Sequence, residues 1–80
     1  MIEVFIPPAS SHMQKAEWDD ISEELLVVWQ DGSAYSVQNV PRAQYRRMTM
    51  ELSPGAYFHR QFGRVAQQAP YDSLDQAASG

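Results

Sequence analysis

The chain has 80 residues, 6 Lys+Arg against 10 Asp+Glu, a formal net charge of -4 and no cysteine. That length holds one small domain, and the missing thiols exclude a disulfide framework, a thiolate nucleophile and a cysteine zinc site. No apolar run approaches a membrane span and the N-terminus lacks the basic stretch and apolar core of a secretory signal, so a cytoplasmic protein is expected.

Ile2-Glu3-Val4-Phe5-Ile6 reads as a short strand, closed by Pro7-Pro8, which cannot continue a ladder. Ser10 to Trp18 alternates weakly and reads as an edge strand, followed by a polar turn at Asp19-Asp20 and Ser22-Glu23. The clearest local signal is Leu25-Leu26-Val27-Val28-Trp29-Gln30, then Asp31-Gly32, then Ser33-Ala34-Tyr35-Ser36-Val37-Gln38. Asp-Gly between β-rich runs predicts a hairpin with a two-residue type I′ turn. That turn sets Trp29 opposite Ala34 and Val28 opposite Tyr35. Leu26, Val28, Tyr35 and Val37 then form the core face. Leu25, Val27 and Trp29 are left on an under-covered face, where they are expected at an interface between copies of the chain.

Pro41 opens a helix whose apolar stripe is Pro41, Tyr45, Met48 and Leu52. Ser53-Pro54-Gly55 breaks it and caps a second helix, with Ser53 as N-cap and Phe58, Phe62 and Val65 on one face. Gly63 marks its end. The fold class is α+β, a small antiparallel β-meander with a central Asp-Gly hairpin packed on a helical hairpin. Residues 1–65 make the domain and residues 66–80 a flexible tail.

Several of these features in this order resemble the KTSC domain. They are Ser10-Ser11, Trp18-Asp19, the Leu-Val-Val-Trp strand with its glycine turn, Tyr35, Asn39-Val40-Pro41, Tyr45 and Ser53-Pro54-Gly55-Ala56-Tyr57-Phe58. The similarity spans roughly residues 9–65. The family is named for its place at the C-terminus of some lysyl-tRNA synthetases and also occurs as short bacterial and phage proteins. The resemblance implies a small α+β unit and, by association, an RNA or nucleotide ligand. Two departures stand out: His59 replaces the family's usual asparagine, and Gly63 follows Phe62 where the family tends to carry arginine.

Charge is unevenly spread. Lys15 is the one base before Gly32, whereas Arg42, Arg46, Arg47, Arg60 and Arg64 all follow it. Arginine suits bidentate phosphate recognition, although pairing with the acidic first half accounts for these residues equally well. An acidic chain disfavours general DNA binding.

The start of the second helix, Ser53 and Gly55 with Arg46 reaching over, offers one anion site. Tyr57, Arg60 and Arg64 share a side of that helix and suit a base with its phosphates. His59 is assigned a hydrogen-bonding role, and Trp29 could stack on a ligand. His12 and His59 lack the spacing of a metal site, and no catalytic motif, cofactor or metal is expected. The expected function is therefore a non-catalytic module for a nucleotide or RNA. The alternative is a protein-interaction module or inhibitor that binds a host protein. A phage protein of either kind could act against a host defence, in one case by sequestering a nucleotide signal.

Overall fold

Five β-rich segments pair in chain order. β1 (Ile2–Phe5), β2 (Met13–Asp19), β3 (Leu25–Trp29), β4 (Ala34–Val37) and β5 (Gln67–Ala69) form one antiparallel sheet in the order β1-β2-β3-β4-β5. Between β4 and β5 the chain makes α1 (Arg42–Thr49) and α2 (Pro54–Phe62). The structure, a computed structural model, describes residues 1–9 and 11–70. The expected small α+β fold is the one observed. Two element assignments change. The segment read as an edge strand lies inside the sheet, between β1 and β3. The expected tail starts too early, because Gln67–Ala69 pairs with β4; its residues 71–80 lie outside the described ones.

The central hairpin differs from expectation by one residue, and that residue reverses the faces of β3 relative to β4. Val28 pairs with Ala34 and Val27 with Tyr35. Trp29 N–H donates to the Ser33 carbonyl at 2.9 Å and Gly32 N–H to the Trp29 carbonyl at 3.0 Å. The loop is therefore three residues, Gln30-Asp31-Gly32, with Gly32 alone at positive φ (89°). Asp31 keeps an ordinary φ, so the two-residue turn, which needs two positive values, is replaced by a turn closed with a glycine bulge.

Because side chains alternate, the shift turns Leu25, Val27 and Trp29 inward. They are 0%, 0% and 5% exposed, inside the main core with Trp18, Val37, Tyr45, Met48, Phe58 and Phe62. The expected interface of Leu25, Val27 and Trp29 is thus corrected: these side chains are covered by the chain's own helices. The surface argument for self-association goes with them. Leu26 and Val28 move to the opposite face, where they pack with Ala34 and the half-buried Ile2. Tyr35 is only partly buried against the main core.

A second irregularity works the same way in β2. The pairing passes from Met13↔Trp29 to Lys15↔Val28, leaving Gln14 as an extra residue. Without that bulge Met13 would share the outer face with Lys15 and Glu17; with it, Met13 is fully buried in the core. On the outer face Lys15 Nζ sits 3.0 Å from a Glu17 carboxylate oxygen, which compensates the buried acid.

Only Tyr45 and Met48 of the expected stripe reach the core from α1, since Leu52 lies beyond its end and is exposed. The start of α2 matches the sequence reading. Ser53 is the N-cap, its Oγ accepting from Ala56 N–H at 3.3 Å, and Pro54 occupies the first turn. Gly63 closes the helix. Phe58 and Phe62 are buried, but Val65 is exposed.

Candidate functional site

Three separate stretches of chain meet around Trp29. The Gln30 N–H donates to the His12 carbonyl at 3.0 Å, which holds the start of β2 beside the end of β3. From the other side α2 lays its first turns over the indole. Its Gly55 is placed so closely that a β-carbon there would lie 3.2 Å from Trp29 Cζ3. One turn further, the His59 imidazole lies flat on the same indole, with centroids 5.0 Å apart and planes at 4°. His12, just before β2, approaches at 6.2 Å and 55°.

The result is a cleft of about 420 Å³ lined by His12, Trp29, Leu52, Ser53, Gly55 and His59, among others. That volume lies within the range of small-ligand pockets. Chemically it offers two imidazoles, an indole edge and the first turn of α2. The Gly55 N–H there has no acceptor within the helix, as at any helix start.

The sequence-predicted residues divide. Ser53, Gly55 and His59 line this cleft together. Arg46 does not reach over to it; its guanidinium lies 4.0 Å from Glu3 on β1, beside a different hollow. Tyr57 is 6% exposed and packs edge-to-face on Phe62, so its ring is a core element and offers no free face to a base. Arg60 lies over that ring at 5.8 Å and reaches Glu51 at 3.9 Å. Arg64 is exposed past the end of α2. Pairing with acids describes Arg42 and Arg46, both held by Glu3, and Arg42 also reaches Asp20 at 3.6 Å.

Sequence reasoning takes His12 only as a metal ligand and Trp29 as a stacking or interface residue, with burial under the N-terminal segment weighed beside them. The missing signal was the one-residue register shift, which alone places Trp29 under α2. Among the described residues no group of three or more His, Asp or Glu could hold a metal ion. No described helix is long and apolar enough to cross a membrane.

The KTSC domain family model matches residues 9–64, which takes in β2 through the whole of α2 and every residue named in the cleft. The chain belongs to the KTSC domain family. The matched stretch is the part of the fold that builds the cleft, whereas β1 and β5, the two edge strands, fall outside it. No curated protein matches the chain significantly. Within this KTSC domain His59 is the side chain that covers Trp29.

Proposed function

We propose that this KTSC domain is a non-catalytic binding module whose ligand is a nucleotide, taken in the cleft between His12 and the start of α2. The observation that supports this reading is the convergence of His12, Trp29, Gly55 and His59 on one cleft. Imidazole N–H groups and an open helix start are donors that suit a phosphate, and the helix dipole adds to the attraction. The indole edge and the stacked imidazole suit a planar base. The arginines play a smaller part than the sequence suggested, because Arg46 and Arg60 lie beside acids elsewhere.

Nucleotide binding should raise the melting temperature with ligand concentration by mass action. A panel of ribonucleoside monophosphates and short RNA oligomers is the direct trial. The expected result is a concentration-dependent rise that His12→Ala and His59→Ala abolish, while the Arg60→Ala/Arg64→Ala double variant retains it. No rise with any member of the panel would remove the nucleotide reading. A second reading, a protein partner, is favoured by Met50 and Leu52, which are 78% and 106% exposed at the tip of the helical hairpin. It predicts co-purification of a protein that Leu52→Asp releases.

A further inference from the structure

The cleft continues past Trp29. A second hollow of about 190 Å³ shares His12, Trp29 and His59 with it and ends at Asp31, Ser33 and Tyr35. The two spaces thus adjoin as a seam, with the stacked His59–Trp29 pair bordering both. Its ends differ in charge. The wide end is lined by the α2 start, the Leu52 side chain and the two imidazoles, with no acid among its lining residues. The narrow end carries the Asp31 carboxylate.

That carboxylate is held in place by its own turn. Asp31 Oδ1 accepts from Ser33 N–H at 2.9 Å and from Ser33 Oγ at 2.6 Å. These bonds, with a smaller contribution from His12, hold Asp31 below the usual carboxylate range, so it stays ionised. A fixed negative charge at one end of a short seam repels a phosphate there and accepts a hydroxyl or amino donor.

We propose that Asp31 is a specificity-determining residue that sets ligand polarity. A nucleoside monophosphate lies with its phosphate at the wide end and its ribose hydroxyls toward Asp31, and a nucleotide carrying a second phosphate on those hydroxyls is disfavoured. This rests on the nucleotide reading above. It goes beyond it by naming which class of nucleotide the site selects and the residue that selects it.

The test compares adenosine 5′-monophosphate with adenosine 3′,5′-bisphosphate by calorimetry, on the full chain and on Asp31→Asn and Asp31→Glu. Asparagine keeps an oxygen for the Ser33 donors and removes only the charge. The expected result is a preference for the monophosphate of about tenfold or more, the size of a like-charge contact at a solvated rim. Asp31→Asn should reduce that ratio to near one, and Asp31→Glu should keep most of it. Binding of both compounds with a ratio that Asp31→Asn leaves unchanged, or a preference for the bisphosphate, overturns the proposal and leaves the nucleotide reading standing. Binding of neither compound overturns this proposal. If the wider panel of ribonucleotides is also silent, the nucleotide reading falls with it.

Discussion

Trp18 shows how much one side chain can tie together. Its indole N–H donates to the Val40 carbonyl at 2.8 Å, its ring stacks on Tyr45 at 5.6 Å, and the Arg42 guanidinium covers it at 5.1 Å. It thereby joins β2 to the entry of α1 through a buried hydrogen bond. Trp18→Phe keeps an aromatic ring but leaves the Val40 carbonyl without its donor, at a cost of about 1–3 kcal/mol. A urea titration should show the unfolding free energy fall by that amount. Tyr45 gives a residue-scale pH effect. Burial pushes its phenol up to about 12, with the Glu3 carboxylate adding to the shift. The folded state thus favours the protonated phenol. That contribution is complete below the ordinary tyrosine value of about 10 and is lost as pH rises toward the folded value. Stability should decline through this alkaline window, and Tyr45→Phe should flatten the decline in denaturation curves taken across it.

The elements are positioned by two single-residue devices, Gly32 and Gln14. At Gly32 the backbone sits at φ 89° and a β-carbon would meet nothing within 4 Å. Gly32→Ala therefore costs only the conformational penalty, about 1–2 kcal/mol, with no steric one. A smaller loss, measured by thermal melting, would mean that the hairpin has adopted another turn. Gln14 acts through parity: one extra residue in β2 is what sends Met13 into the core while Lys15 and Glu17 face outward. Asp31 is legible as a turn residue from Asp-Gly alone. Its place at the end of a seam depends on His12 and His59, which no local pattern links to it.

For the whole molecule the controlling fact is size. A chain this long is stabilised by about 5–10 kcal/mol in all, so a single large core residue is a large share. Phe58 is nearly fully buried and packs on Trp29 at 5.5 Å and Phe62 at 5.5 Å, which places it where sheet and helices meet. Phe58→Ala should cost about 3–5 kcal/mol and leave a weakly cooperative or unfolded chain in calorimetry. The sequence identified Phe58, Phe62, Tyr45, Met48 and Val37 as core. It placed Val28 with them, whereas Val28 is buried in the smaller cluster on the other face, and it missed Trp18, Leu25 and Val27 among others.

What the amino-acid sequence determined by itself is local and family-level. Proline, glycine and serine set the helix boundaries at Pro41 and Ser53 to Gly63, because capping and φ restrictions act over a few residues. The order of those signals carried the KTSC resemblance, which the family match over residues 9–64 establishes. The tertiary structure decided which face of β3 is inward, since a loop of two or three residues differs by little in local energy but inverts every side chain of one strand relative to the other. That choice puts Trp29 under Gly55 and His59, and Leu26 and Val28 on the far side. It also decided the site. His12, Trp29, Asp31 and His59 come from both ends and the middle of the matched stretch, and only the pairing of β2 with β3 and the docking of α2 on the sheet bring them within reach of one ligand.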